Sequence, residues 1–99
     1  MAAFDNSTDS MELVRQKGEI LVHQGDLVEM VYVIRSGTAR VVRMTEAGDE
    51  ESVIVLKAGQ MIGVSALVNR TPQPTTIIAE DELHVVGFQG AQLLSALRS

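Results

Sequence analysis

Apolar residues in this chain come in short bursts separated by breaks that carry glycine and charge. The longest burst between such breaks in the first half, Met30 to Ile34 (MVYVI), is short enough for a strand covered on both faces, and it is the expected centre of the core. Ser52, Ile54 and Leu56 alternate with Val53 and Val55, and Ala39 to Thr45 is β-rich while carrying Arg40 and Arg43, so both segments read as strands. Glu19 to Val22, Thr75 to Ala79 and Leu83 to Phe88 add three more of strand length. Met11 to Gln16 alternates weakly and fits either a strand or one helical turn. Leu93, Leu94 and Leu97 fall at helical spacing, which predicts a helix over Gln89 to Ser99 of about 16 Å at roughly 1.5 Å per residue. Turn signals stand between these segments at Lys17-Gly18, Gly25-Asp26, Ser36-Gly37, Gly48-Asp49 and Gly59, with Ser36-Gly37 reading as a hairpin turn. Short strands at this spacing predict a mainly β domain, an antiparallel sandwich or barrel with helices at its ends.

One stretch breaks the strand rhythm. In Ile62 to Ala79 (IGVSALVNRTPQPTTIIA), Gly63 permits a tight turn and Val64 to Leu67 reads as a single helical turn. The first amides of a helical turn have no partner within it, so an anion of phosphate size can dock there without a cationic side chain. Pro72 and Pro74 hold Gln73 in an extended connection before the strand at Thr75 resumes. The plainer reading of the same residues is a proline-containing surface loop between two strands.

Ninety-nine residues with 45% hydrophobic content make one domain and leave no room for a second. Residues 1–10 mix small and polar types and read as a flexible leader, leaving 11–99 as the folded unit. The chain has no cysteine, hence no disulfide framework, and shows neither a signal peptide nor a membrane-spanning apolar run; a cytoplasmic location is expected. A net charge of −5 with scattered basic residues argues against a nucleic-acid surface, and Phe4, Tyr32 and Phe88 offer no stacking platform. His23 and His84 are far apart in sequence, and no cluster has metal-ligand spacing. The carboxylates at Asp49-Glu50-Glu51 and Glu80-Asp81-Glu82 read as solvated turns, and Arg35, Arg40 and Arg43 as solvated charges at strand edges. Ser65 has no histidine or lysine partner in a recognisable arrangement, so no enzyme is expected.

Two interlocking patterns then stand out. Leu21-Val22, Gly25-Asp26, Val31-Tyr32-Val33-Ile34 and Gly37 resemble the first signature of the cyclic nucleotide-binding domain family, with Val28 standing where that family prefers a smaller residue. Ile62-Gly63-Val64-Ser65-Ala66-Leu67 followed by Gln73-Pro74-Thr75-Thr76-Ile77 resembles its second, the ligand cassette. The resemblance covers roughly residues 11–99. It implies a jelly-roll-like β-roll, a double-stranded β-helix, with short flanking helices. It also implies that Ile62, Gly63, Val64, Ser65, Ala66, Gln73, Pro74, Thr75 and Thr76 hold the ligand-binding positions. In the family a glutamate at the place of Val64 accepts from the ribose hydroxyl and an arginine at the place of Gln73 pairs with the cyclic phosphate. A charge-assisted bond contributes about 1.5–3 kcal/mol, so each loss costs about ten- to a hundredfold in affinity. The remaining candidates for ligand contact are the turn amides at Val64 to Ala66, the hydroxyls of Thr75 and Thr76, and Arg70 as a substitute cation.

Two functions follow as expectations. One is a regulatory or scaffold module that has lost the ribose- and phosphate-binding charges and acts by protein interaction, as a homodimer or on an attached effector domain through its C-terminal helix. The other is a sensor for cyclic AMP, cyclic GMP or another small anion at Gly63 to Ala66. A cofactor, a metal, nucleic acid and membrane insertion are not expected on this domain.

Overall fold

The computed structural model describes residues 10–98, with the side chains of all of these but Val53, Leu97 and Arg98. Residues 1–9, most of the expected leader, lie outside it, and Ser10 already begins a strand. Strands β1 (Ser10–Arg15), β2 (Ile20–Val22), β3 (Met30–Ser36), β4 (Ala39–Met44), β5 (Glu50–Leu56) and β6 (Met61–Ile62) precede a helix α1 (Val64–Asn69). Strands β7 (Thr76–Ala79) and β8 (Leu83–Gln89) and the helix α2 (Gly90–Arg98) follow. The strands form two antiparallel sheets of four, ordered β1-β8-β3-β6 and β2-β7-β4-β5. This is the expected mainly β roll with helices at its ends, and the ambiguous Met11–Gln16 segment is resolved as a strand.

The period-2 pattern is clearest in β8, where Leu83, Val85 and Gly87 are buried and the residues between them less so. Ile34, Ala39, Val41, Leu56, Ile77, Leu83 and Val85 meet between the sheets. Burying such side chains contributes about 1.5–3 kcal/mol each before ordering costs. The MVYVI run is buried at Val31 and Ile34 but only half-buried at Tyr32 and Val33, so coverage on both faces is incomplete.

Three local expectations are corrected. Ser36-Gly37 makes no hairpin, because β3 and β4 belong to different sheets and the turn carries the chain from one to the other. The real hairpin joins β4 to β5, where Thr45 N–H donates to Asp49 O at 2.9 Å and Gly48 N–H to Thr45 O at 2.9 Å. Strict alternation fails in β5: a register shift against Val41/Val42 turns the strand, and both Ile54 and Val55 are exposed. Arg40 is not an edge charge, since β4 runs between β7 and β5 there, whereas Arg43 lies past the pairing with β7, is solvent-exposed as expected and pairs with Glu51. Arg40 is partly buried between Glu50 and Glu80, and hydrogen bonds to Glu50 first, then Glu80, raise its already high pKa further.

Candidate functional site

Gln73 is the residue on which the site is built. Its N–H donates to Asp26 O and its C=O accepts from Gly25 N–H, both at 2.8 Å, so the proline-flanked connection is clamped to the Gly25-Asp26 turn. The two signatures, nearly fifty residues apart in the chain, therefore meet through paired main-chain bonds. The side chain is 6% exposed. Nε2 donates to Thr75 Oγ1 at 3.3 Å, while Oε1 is buried and has no hydrogen-bond partner. An unpaired buried acceptor costs about 1–3 kcal/mol.

Gly63 stands across from it. Its φ of 94° lies in the left-handed region, where a side chain would be strained, and a Cβ would meet Met30 O and Val28 Cγ1 at 3.3 Å. The glycine starts α1 with no side-chain cap, and Leu67 N–H donates back to Gly63 O at 3.0 Å. Gly63 and Gln73 line one cavity of about 180 Å³, walled by Leu21, Val22 and Val28 and edged by Asp26, Glu29 and Tyr32. No lysine, arginine or histidine lines it.

The other cassette residues go elsewhere. Ile62 is in the core and pairs with Tyr32 across β3 and β6. Val64 and Ser65 line neither cavity described here; Ser65 Oγ accepts from Asn69 Nδ2 at 3.4 Å. Pro74 is exposed. The hydroxyls of Thr75 and Thr76 are both engaged, Thr75 with Gln73 and Thr76 by accepting from Gln24 N–H at 2.9 Å. Ala66 is buried and lines a second, larger cavity of about 730 Å³ between α1 and α2. Leu27, Leu67, Ala91 and Leu94 make that groove apolar, with Glu29 and Arg70 at its edge. Leu27 is 80% exposed over it. Arg70, the candidate substitute cation, caps the C-terminus of α1 at φ 56° and faces this groove and not the cavity of Gln73. Of the terminal leucines, Leu93 is buried on the roll and Leu94 lines the groove; the side chain of Leu97 lies outside those described.

Reading the sequence alone missed Asp26, Glu29 and Tyr32 as cavity residues. Asp26 carried a signal, since it sits beside Gly25 in the first signature; Glu29 carried none, because its place depends on how the segment before β3 folds across both cavities.

The roll of two antiparallel sheets, with a short helix inserted between β6 and β7, sets a glycine turn beside a cavity. The sequence model described as "Cyclic nucleotide-binding domain" matches residues 12–99, and the chain belongs to that family. It is 34% identical over 76 residues to a cAMP-dependent protein kinase regulatory subunit from Blastocladiella emersonii, covering 76% of this chain and 19% of that protein. Among solved structures it is similar to the regulatory domain of Toxoplasma gondii PKA with cAMP, with TM-score 0.84, 21% identity and coverage of 90% of this chain and 34% of that one. It is also similar to the regulatory subunit of a cAMP-independent protein kinase A from Trypanosoma brucei, with TM-score 0.86, 18% identity and coverage of 97% and 38%. The chain thus spans about a fifth of the kinase subunit's length. Among the described residues no helix is long and apolar enough to cross a membrane.

Proposed function

We propose that this chain is a cytoplasmic regulatory module blind to cyclic AMP and cyclic GMP, acting through contact with a protein partner or an effector domain. The observation that carries this reading is the charge of the cavity. Where a cyclic phosphate needs a cation, Gln73 offers a neutral amide, and the cavity is edged by the acidic residues Asp26 and Glu29. Val64 cannot accept from a ribose hydroxyl and does not line the cavity. The apolar groove between α1 and α2, with Leu27 exposed above it, is the surface through which a partner or second copy would act. The Trypanosoma relative, cAMP-independent by its name, is consistent with a nucleotide-blind use of this fold.

A sensor reading has one observation in its favour: related folds have been solved with cAMP bound. Calorimetric titration with cyclic AMP and cyclic GMP at low salt separates the two. No heat up to millimolar ligand is the expected result, and micromolar binding would reverse the order of the readings. Gln73→Arg, which puts a cation on the residue that lines the cavity, should create or strengthen cyclic nucleotide binding by about ten- to a hundredfold. A folded variant indifferent to nucleotide would show that this position does not face the ligand.

A further inference from the structure

We propose that the smaller cavity takes a small hydrogen-bond donor, neutral or cationic, of the amine, amide or amidine class, and rejects anions. The proposal takes from the preceding reading only that the cassette positions are uncharged. Gln73, nine-tenths buried, lines the cavity with its Oε1 unpaired, while its Nε2 is occupied by Thr75. The end of the amide left over is therefore the acceptor. Main-chain bonds to Gly25 and Asp26 hold the residue in place, so only its side-chain torsions are free. The same clamp and the bond from Nε2 to Thr75 hold the amide with Oε1 as its unpaired end.

The surrounding charge points the same way. Asp26 and Glu29 line the cavity, whereas Arg70 lines only the neighbouring groove. Both acidic residues are exposed, so their charge acts at the cavity mouth, where carboxylates attract an ammonium or amidinium and repel a phosphate or carboxylate, less strongly as salt is added. Leu21, Val22 and Val28 supply walls for a flat apolar body. At about 180 Å³ the open cavity is well under the roughly 300–1,000 Å³ of drug-sized sites, which suits a guest of a single ring with a polar head.

Benzamidinium, benzamide and benzoate share one shape and differ in charge, which makes them suitable probes. Each is titrated at constant ionic strength into the isotope-labelled chain, following the backbone amides of Gly63 and Gln73 by NMR. Benzamidinium should bind most tightly, benzamide less, and benzoate at least about tenfold more weakly than benzamidinium. Gln73→Met should abolish the benzamide response, and Asp26→Asn should weaken benzamidinium about threefold or more while sparing benzamide. The same spectra report whether each variant is folded, and the Asp26 variant decides if the Gln73 variant is not. Benzoate binding as tightly as benzamidinium, silence from all three probes at millimolar concentration, or indifference to Asp26→Asn would each overturn the proposal. Cyclic AMP is titrated separately: its binding would overturn the nucleotide-blind reading, and the donor proposal falls with it only if benzoate binds too.

Discussion

At Gly37 and at Gly63 the chain uses the same device, a glycine with positive φ at the end of a strand, to opposite effect. At Gly37 (φ 85°) an added Cβ would fall 2.2 Å from Glu82 O, and hydrogen bonds tie the two sides of the corner together. Asp81 Oδ1 accepts from Thr38 N–H at 2.8 Å, Oδ2 from Thr38 Oγ1 at 3.2 Å, and Glu80 N–H donates to Thr38 O at 3.0 Å. At Gly63 the closest approach is 3.3 Å, a cavity opens alongside, and Gln73 keeps an acceptor unpaired. The first corner is filled. The second keeps an unpaired polar atom beside open space, the observation on which the proposed donor site rests.

The largest test of this contrast is Gly37→Ala. Left-handed backbone costs a residue with a Cβ about 1–2 kcal/mol, and the clash with a main-chain carbonyl forces the corner apart, so a loss of about 3 kcal/mol or more is expected in urea unfolding. A loss below about 1 kcal/mol would show that the corner is looser than its contacts imply.

Gln73→Met should move stability the other way. It removes an unpaired buried acceptor and keeps the main-chain clamp to Gly25 and Asp26, giving up only the long bond from Nε2 to Thr75, for a net gain of about 0.5–1 kcal/mol. Thr76→Val, three residues on in the same connection, removes a satisfied hydroxyl and leaves Gln24 N–H unpaired, so it should cost about 1 kcal/mol or more. Thermal unfolding of the pair would sharpen the comparison most, because both residues are buried and one has an unpaired acceptor where the other has a satisfied hydroxyl.

Much of the frame could be read in advance from particular residues. The glycine-bounded apolar runs marked the strands, and the spacing of Gly25, Gly37 and Gly63 marked the family's signatures. What could not be read was which strands would pair. Ser36-Gly37 has hairpin composition, yet whether β3 pairs with β4 or hands the chain to the other sheet depends on β8 and β6 arriving later to take both edges of β3. The same holds for the site. The substitutions at Val64 and Gln73 were visible, but not that Thr75 and Thr76 would spend their hydroxyls within the protein, nor that Arg70 would face the larger groove. Those outcomes are set by side-chain packing between distant segments, which no local pattern encodes.

Arg70 gives a smaller test. It is the one non-glycine residue with positive φ among those described, and its N–H closes α1 onto Leu67 O at 3.3 Å. Arg70→Gly should stabilise the fold by about 0.5–1 kcal/mol by removing left-handed strain at a helix C-terminus. Because Arg70 does not line the Gln73 cavity, the order of the three benzenoid probes should be unchanged. A reversal would mean that its guanidinium reaches the cavity from outside.

The smallest effect belongs to the filled corner. Hydrogen bonds from His84 first, then Gln16, hold the carboxyl of Glu82 below its ordinary value of 4.5. A carboxylate whose folded pKa lies below its unfolded one adds stability above the unfolded value, and that contribution fades as pH falls through the folded value. Replacing the partner, His84→Leu, should therefore raise the Glu82 midpoint toward 4.5 in an NMR titration and shift the acid limb of the stability curve slightly upward in pH, with little change at neutrality. Glu82 is fully exposed to solvent, so the shift should shrink as salt is added. A midpoint that ignores both the histidine and the salt would mean that the carboxyl is held by the Gln16 amide alone, and the corner would then owe nothing to charge.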